Sequence, residues 1–290
     1  MGKIESVLKE YPKMDYQNIE DDIQKIIEKR ANGYKNQKTY SALFNCLDLT
    51  SLNTTDNEQC ISDLVQKVNL LPEQFQEMPQ VAAICIYPSF IKIVKEELTE
   101  SIEIASVSGG FPHAQTFMEV KVAETALCVL EGATEVDCVL SVGELKEKRY
   151  DEIVEELQEM KATCRNATLK VILETEALTL DEIRIASILC LESGVDFIKT
   201  STGKMKVGAT LEAAYVMLHT IKDYAELRGE NKGFKAAGGI STAEEAIKYY
   251  SLVDEILGAE WLNNQRLRFG ASKLANSLLS EYYGKQINYF

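Results

Sequence analysis

Two lysines stand in the middle of apolar runs that have the character of buried β-strands. Lys199 lies in the run DFIKT and Lys235 in the run GFKAA, and a glycine-bearing turn follows each run. Because burying an unpaired ammonium group is costly, such a lysine tends to become a neutral amine. A neutral amine beside a second cation is the nucleophile that forms a Schiff base with a carbonyl compound. The alternative, that each lysine reaches water from a strand end or pairs with a carboxylate, fits one such lysine better than two.

Carboxylates and a third lysine occur in further strand-like runs. Asp137 interrupts the apolar run EVDCVL, Asp48 stands in CLDLT, and Lys170 and Glu174 are in phase on another run. Since alternate residues of a strand point to the same side, these groups are expected to converge with the two lysines on one pocket. Two alternatives stay open: a structural role for Asp137, and a Lys170–Glu174 ion pair that only stabilises the fold.

Glycine-rich turns follow the last three strand-like runs. They contain Gly203-Lys204, Gly238-Gly239 and Gly270-Ala271-Ser272. Such turns expose backbone N–H groups, and the helix N-termini just beyond them favour anions. Any turn uses glycine, but three of them together with Lys204 and Ser272 predict a phosphate-binding pocket.

The elements that position these residues alternate between strands and helices along the chain. The predicted strands are residues 42–49, 81–87, 103–107, 135–139, 169–174, 196–200, 233–237 and 266–269. Helical spacing of apolar residues predicts helices between them, over 150–164 and 180–193 for example, and Thr242 to Glu245 has the form of a capping box. Eight such units favour a parallel sheet closed into a (β/α)8 TIM barrel. An open doubly wound sheet would call for a nucleotide-binding fingerprint, and the sequence has neither G-x-G-x-x-G nor a P-loop.

The first forty residues lie outside this alternation. Ile19, Ile23, Ile26 and Ile27 form an apolar stripe, which predicts a helix that plugs the barrel floor or packs on its side. We therefore predict an N-terminal helical extension over residues 1–40 and a barrel domain over 41–290.

Composition excludes several classes of partner. A net charge of −14 disfavours nucleic acid but allows an anionic small substrate in a locally positive pocket. Seven cysteines without a C-x-x-C pair predict reduced thiols and a cytoplasmic location. The chain opens without an apolar signal core and has no apolar run of membrane-spanning length, so no membrane partner is expected.

The two histidines give no metal signal. His113 and His219 lack Cys or His neighbours at ligand spacing, so no zinc site is predicted. His219 is expected to be a surface or packing residue. The loop 109–113, which contains the other histidine, is a plausible lining of the pocket without assigned chemistry.

From about residue 43 to 279 the sequence resembles deoxyribose-phosphate aldolase, a class I aldolase family with a (β/α)8 barrel. The most specific pieces are residues 83–88, 169–175, 196–204, 233–239 and 268–272, and the first strand with Asp48, Thr50, Leu52 and Asn53 is also similar. The resemblance implies a homodimer that reversibly cleaves 2-deoxy-D-ribose 5-phosphate to D-glyceraldehyde 3-phosphate and acetaldehyde, in deoxyribose catabolism. It implies no metal and no organic cofactor.

The resemblance also implies residue roles. Lys199 would be the Schiff-base nucleophile, Lys235 the neighbour that lowers its pKa, and Asp137 the acid–base residue. The implied substrate-binding residues are Asp48, Thr50, Lys170, Thr202, Gly203, Lys204, Gly238, Gly239, Gly270 and Ser272.

The sequence departs from the family pattern at four positions. Ala236 replaces a proline, Ser241 stands where an arginine is common, and Lys273 replaces a second serine. These changes bear on phosphate affinity more than on the chemistry. Members often end in a tyrosine that assists proton transfer, whereas Tyr289 here is followed by Phe290, so Tyr289 is not expected to act in catalysis.

Three other functions compete with this interpretation. A transaldolase or another class I aldolase would use the same imine chemistry on a different donor. In a phosphosugar isomerase the lysines would only bind anions, and a catalytically inactive barrel would act as a binding or regulatory protein.

Overall fold

The computed structural model describes residues 3–290, and its centre is a closed barrel of eight parallel strands in sequential order. The strands are β1 (Leu47–Thr50), β2 (Ala83–Ile86), β3 (Glu103–Ser108), β4 (Glu135–Val139), β5 (Thr168–Ile172), β6 (Phe197–Lys199), β7 (Gly233–Ala237) and β8 (Leu267–Ala271). The barrel closes through the pairing of β1 with β8. The predicted (β/α)8 fold is confirmed.

Within residues 3–290, twelve α-helices accompany the strands. They are α1 (Lys3–Leu8), α2 (Ile19–Arg30), α3 (Gln37–Asn45), α4 (Glu58–Gln74), α5 (Ile91–Glu97), α6 (Met118–Glu131), α7 (Val142–Lys146), α8 (Tyr150–Cys164), α9 (Leu180–Glu192), α10 (Leu211–Arg228), α11 (Ala243–Ile256) and α12 (Lys273–Tyr283). The predicted capping box of α11 is present, with Thr242 and Glu245 bonding each other's backbone N–H groups. Among the described residues, no helix is both long and apolar enough to cross a lipid bilayer.

The first strand is shorter than the sequence pattern indicated. Residues 42–45 belong to α3, because the Asn36 side chain accepts the N–H of Thr39 and starts a helix there. Tyr40, Leu43 and Phe44 then fall on one buried helical face. Helix and strand patterns compete in such short apolar runs, and the cap decides between them.

The N-terminal segment packs on the side of the barrel. Helix α2 lies against α10 and α11, with Ile19 and Ile23 buried. Arg30 at its end forms ion pairs with Asp254 and Glu255 of α11. Of the two predicted placements, the side of the barrel is therefore the observed one for this helix. The first two residues of the predicted extension, Met1 and Gly2, lie outside the described range.

Alternate side chains of each strand point either to the apolar core around the barrel or to the inside of the barrel. In β7 the side chains of Phe234 and Ala236 join the apolar core around the barrel, whereas Lys235 belongs to a buried polar group inside it. The same division holds in β6 for Ile198 and Lys199. Helices cover the outer face of a parallel sheet, so the inner face is left to carry the chemistry.

One glycine makes room for an aromatic ring inside the barrel. Gly233 of β7 is paired with Phe197 of β6, and a Cβ added to Gly233 would lie only 2.2 Å from the Phe197 ring. The guanidinium carbon of Arg268 lies 5.8 Å from the centre of that ring. The glycine therefore allows the ring to pack beside a buried cation.

We expect Gly233→Ala to lower the free energy of unfolding by about 1–3 kcal/mol, because the added methyl group overpacks the Phe197 ring. Urea denaturation measures this change. Combining it with Phe197→Leu is expected to cost less than the sum of the two single substitutions, since the smaller side chain makes space. Strict additivity of the two effects would contradict this packing account.

Candidate active site

Lys199 lies at the carboxyl end of β6, on the inner face of the barrel. Its Nζ atom is 2.8 Å from Oδ2 of Asp137 in β4. Lys235 is its partner in the neighbouring strand β7. Only 2% of Lys199 is exposed, and both Asp137 and Lys235 are completely buried. The three residues that the sequence singled out therefore meet inside the barrel.

Asp137 is shared by three lysines. It accepts hydrogen bonds from Nζ of Lys170 at 3.0 Å, of Lys199 at 2.8 Å and of Lys235 at 2.7 Å. Charge-assisted hydrogen bonds of this kind are the strong ones. A single carboxylate thus holds three amines around one point.

Two further carboxylates and an arginine extend this group toward the amino ends of the strands. Asp48 of β1 accepts from Lys235, from Lys170 at 3.2 Å and from Nη1 of Arg268 at 2.6 Å. Glu135 accepts from both terminal nitrogens of Arg268, at 3.1 and 2.8 Å, and pairs with Lys170. We call these seven residues the ion cluster: Asp48, Glu135, Asp137, Lys170, Lys199, Lys235 and Arg268.

The alternative of a Lys170–Glu174 ion pair is wrong. Lys170 pairs with carboxylates of the ion cluster, whereas Glu174 accepts from the backbone N–H and the hydroxyl of Thr202, at 3.2 and 2.5 Å. Strand β5 ends at Ile172, and Glu174 has a left-handed backbone with φ of 56°. The alternation of a strand therefore does not extend to Glu174.

The three lysines of the cluster differ in the direction of their pKa shifts. Burial lowers the pKa of Lys199, the positive charge of Lys235 lowers it further, and Asp137 only partly opposes these effects. Burial acts the same way on Lys170 and Lys235, but Asp137 and Asp48 outweigh it and raise the pKa of both. Lys199 is thus the lysine of the cluster that is shifted toward the neutral amine.

Asp137 and Asp48 are held in the ionised form. Burial alone would raise the pKa of Asp137, but the charges of Lys170, Lys199 and Lys235 lower it well below its usual value. Asp48 also has a lowered pKa, because Lys170, Lys235 and Arg268 outweigh its burial. Both carboxylates are therefore proton acceptors at neutral pH.

A pocket of about 440 Å³ opens at the carboxyl ends of the strands. It is lined by Thr50, Leu52, Asn53, Lys199, Thr202, Gly203, Lys204, Ala237, Gly238, Gly239, Ile240, Ser241, Gly270, Ala271, Ser272 and Lys273. Of the ion cluster, Lys199 alone contributes to this lining. Of the predicted substrate-binding residues, Asp48 and Lys170 lie beneath the pocket, and the others line it.

The turn after β7 approaches the turn after β6 closely. Gly238 and Gly239 have φ of 92° and 83°, a backbone region that favours glycine. A Cβ on Gly208 would lie 2.6 Å from the carbonyl oxygen of Gly238. Glycine is thus required here by the backbone conformation and by the close approach of the two turns.

The two helix N-termini beside the pocket differ. At α11 the carboxylate of Glu245 already accepts the backbone N–H groups of Ser241 and Thr242, at 2.8 and 3.0 Å. At α12 no side chain caps the helix, and Lys273 is its first residue. An uncapped N-terminus and a lysine both favour an anion. Lys204, which donates to the carbonyl oxygen of Leu52, is the other cation of the lining.

Sequence reasoning did not identify Glu135 and Arg268 as site residues. Glu135 stands two positions before Asp137 on the same strand, and Arg268 is paired with Lys235 in the neighbouring strand. In-phase spacing was the available signal for Glu135. For Arg268, the only available signal was its position in residues 268–272, a segment that resembles the family.

Two further predictions can be compared with the structure. The loop 109–113 does not contribute to the pocket lining, so that prediction is wrong. His219 contacts the ring of Tyr215, with 4.4 Å between ring centres, and packs as predicted. The hydroxyl of Tyr289 donates to the carbonyl oxygen of Lys67 at 2.7 Å, and neither residue lines the pocket. Within residues 3–290 no group of three His, Cys, Asp or Glu residues is arranged to hold a metal ion.

Comparison with known proteins identifies the class of this barrel. Residues 43–270 match the model of the DeoC/LacD family aldolase. The chain is also 40% identical over 272 residues to a Caenorhabditis elegans protein, covering 91% of this chain and 88% of that protein. The name of that protein assigns it provisionally to deoxyribose-phosphate aldolase. The barrel is therefore an aldolase, an enzyme of the lyase class.

The chain belongs to the DeoC/LacD aldolase family, and within that family it resembles the deoxyribose-phosphate aldolases. A solved structure described as QR15, an aldolase, is 30% identical with a TM-score of 0.68, covering 83% of this chain and 97% of that one. The tetrameric deoxyribose phosphate aldolase of Aeropyrum pernix has a TM-score of 0.68 at 21% identity, covering 92% and 98%. At that identity the second likeness concerns the fold alone.

Two lysine substitutions are expected to affect stability in opposite ways. Lys170→Met leaves buried carboxylates short of a partner, so we expect a loss of about 3–5 kcal/mol in the free energy of unfolding. Lys199→Met is expected to keep or raise that free energy at pH 7. Its pKa is lower in the folded than in the unfolded state, so its charge opposes folding at neutral pH, and Asp137 retains Lys170 and Lys235.

Urea denaturation of both variants and the parent protein at pH 7 measures this contrast. The methionine side chain has a similar length in both variants, so each is the control for the other. Equal destabilisation by the two substitutions would show that Lys199 is held in its charged form.

Proposed function

We propose that this aldolase works through a Schiff base and reversibly cleaves 2-deoxy-D-ribose 5-phosphate to D-glyceraldehyde 3-phosphate and acetaldehyde. One observation carries the proposal. Lys199 is the lysine whose pKa burial and Lys235 lower, and it is also the member of the ion cluster that lines the pocket. A neutral amine facing a substrate pocket is the requirement for imine formation.

The choice of substrate rests on the pocket and on the relatives. Lys204, Lys273 and the uncapped N-terminus of α12 favour an anion at the rim, at a distance from Lys199 on the pocket floor. A phosphorylated open-chain sugar has its aldehyde and its phosphate at opposite ends. The relative from C. elegans is provisionally named deoxyribose-phosphate aldolase, which agrees with this arrangement.

In the proposed mechanism Lys199 attacks the aldehyde carbon C1, and loss of one water gives the iminium ion. The iminium accepts the electron pair of the C2–C3 bond as that bond breaks. The C3 hydroxyl loses its proton toward Asp137, directly or through water, and glyceraldehyde 3-phosphate leaves. The same proton is delivered to C2 of the enamine. Hydrolysis then consumes one water, releases acetaldehyde and restores Lys199.

The neighbouring charges have separate roles in this proposal. Lys235 keeps its proton, because Asp137 and Asp48 outweigh its burial and raise its pKa. Its charge disfavours a second ammonium ion at Lys199. Lys170 and Lys235 each donate to both Asp137 and Asp48, so these two lysines hold Asp137 in place. Asp137 is an ionised carboxylate suited to accept a proton first and return it later.

The wider expectations belong to the same proposal. They are a cytoplasmic homodimer that acts in deoxyribose catabolism, with residues 1–40 as an extension of a barrel domain over 41–290. Free thiols at all seven cysteines agree with a reducing compartment. An inactive barrel is the least favoured alternative, because such a protein has no use for a buried amine with a lowered pKa.

The first test is to trap the imine. Borohydride reduction in the presence of acetaldehyde is expected to add about 28 Da to Lys199, which follows from condensation of an aldehyde with an amine and reduction of the product. Peptide mapping by mass spectrometry locates the adduct. Lys199→Ala is expected to lose both the adduct and cleavage of 2-deoxyribose 5-phosphate.

The choice of donor aldehyde separates the competing enzymes. A transaldolase or another class I aldolase would form its adduct with a different donor and not with acetaldehyde. In folded protein, absence of an adduct on any lysine would favour the isomerase or binding-protein alternatives.

The second test concerns the phosphate. Lys273→Met is expected to lower kcat/KM for 2-deoxyribose 5-phosphate about tenfold to hundredfold, equivalent to a charge-assisted contact of about 1.5–3 kcal/mol. The effect is expected in KM, and cleavage of unphosphorylated 2-deoxyribose is expected to change little. Lys206→Met is the matched control, since Lys206 is exposed near the same pocket without lining it. Equal losses with both sugars would argue against a phosphate contact at Lys273.

A further inference from the structure

Glu135 and Arg268 occupy the end of the ion cluster that faces away from the substrate pocket. They border a second cavity of about 530 Å³ at the amino ends of the strands. That cavity is also lined by Glu103, Thr134, Asn166, Thr168, Asp196, Phe197, Asn231, Lys232, Gly233 and Gln265. Neither Glu135 nor Arg268 lines the substrate pocket, so any effect on the reaction must pass through the cluster.

The ion cluster contains unequal numbers of charges. Its cations are Lys170, Lys199, Lys235 and Arg268, and its carboxylates are Asp48, Glu135 and Asp137. All seven residues are at most 3% exposed. With every group ionised the cluster carries one excess positive charge, and an uncompensated buried charge is expensive. Loss of a single proton makes the cluster neutral.

The contacts identify the amine that loses this proton. Lys170 pairs with three carboxylates, namely Asp48, Glu135 and Asp137. Lys235 pairs with Asp48 and Asp137. Lys199 pairs with Asp137 alone, and it shares that carboxylate with the other two lysines. Lys199 is thus the least compensated cation.

We propose that Glu135 and Arg268 are positioning residues of the aldolase reaction, which set the charge balance of the ion cluster so that Lys199 is its neutral amine. This inference rests on the proposed function, in which Lys199 is the nucleophile. Arg268 suits the role because a guanidinium group does not lose its proton in proteins. It therefore cannot be the group that relieves the excess charge.

Arg268 also affects which carboxylates Lys170 and Lys235 contact. It occupies Oδ1 of Asp48 and both carboxylate oxygens of Glu135. Without it, these two carboxylates would draw Lys170 and Lys235 toward themselves and away from Asp137. Asp137 would then face Lys199 with less competition and would hold its ammonium form.

The titratable and charged groups around Lys199 come from seven of the eight strands. They are Asp48 in β1, Cys85 in β2, Glu135 and Asp137 in β4, Lys170 in β5, Lys199 itself in β6, Lys235 in β7 and Arg268 in β8. In β3 the half-buried Glu103 lines the second cavity beside Glu135 and Arg268. The buried residues of β3, from Ile104 to Ser108, carry no titratable side chain in this range. Burial raises the pKa of Cys85, which keeps its thiol neutral. The other groups of these strands are those of the ion cluster, and the loops add Lys204 and Lys273, which line the pocket together with Lys199.

The test follows the pH dependence of borohydride trapping of acetaldehyde on Lys199, quantified by mass spectrometry. The trapped fraction rises with pH as the amine loses its proton. Arg268→Gln removes a cation, so Lys199 is expected to keep its proton longer and the midpoint to move up by about one pH unit, a tenfold loss of amine. Glu135→Gln removes a carboxylate and is expected to move the midpoint down. The double variant restores the wild-type difference between cations and carboxylates, and its midpoint is expected to return toward the wild-type value.

Controls separate charge from structure. Arg268→Lys keeps the charge and changes the geometry, so it is expected to retain the wild-type midpoint. The polar cavity beside Arg268 gives water access to a shortened side chain, which favours folding of these variants. Circular dichroism checks folding, and the downward shift of Glu135→Gln remains a test if Arg268→Gln does not fold.

The possible failures are distinguishable. If every variant traps acetaldehyde more slowly or is a less stable protein, and the midpoint of trapping does not move, the inference is overturned. Glu135 and Arg268 would then have a purely structural role. An equal shift in Arg268→Lys and Arg268→Gln would overturn it as well. If the wild-type protein forms no adduct on Lys199 at any pH, the proposed function itself fails, and this inference with it.

Discussion

The energetic cost of burying charge inside the barrel governs the arrangement of this active site. Seven ionisable side chains that are almost completely buried share this space, so each must be paired or lose its charge. The Asp137 carboxylate accepts hydrogen bonds from three lysines at once, at Nζ to oxygen distances between 2.7 and 3.0 Å. Because three carboxylates face four cations, the same constraint that stabilises the cluster also selects one amine for chemistry.

In the barrel, alternate side chains of each strand serve either stability or function. One set of side chains, such as Ile198, Phe234 and Phe269, packs outward against the helices and builds the apolar core. The alternate set faces the barrel axis and holds the ions. Loops at the carboxyl ends then add the glycines and lysines of the pocket without disturbing either set. This division explains how a chain with a net charge of −14 presents a locally positive site.

Prediction from the sequence succeeded where the strand pattern was clear and where a lysine stood within an apolar run, as it does twice. Strands 135–139 and 233–237 were predicted to the residue, and the lysines within apolar runs led directly to the site. It failed where local patterns are ambiguous or where they end. Residues 42–45 follow the cap at Asn36 into a helix, and Glu174 turns out of the strand alternation to bind Thr202. The loop 109–113 could not be excluded from the pocket, because loop directions depend on neighbours distant in sequence.

The sequence alone determined the fold class, the inward faces of β6 and β7 and the identity of the unusual lysines. These properties follow from local periodicity and from the cost of placing an amine among apolar residues. Only the tertiary structure decided which carboxylates each lysine shares, and thereby which lysine is left with one partner. Those contacts join residues up to 220 positions apart, as between Arg268 and Asp48. Long-range electrostatics depends on distances through space, which the order of residues along the chain does not specify.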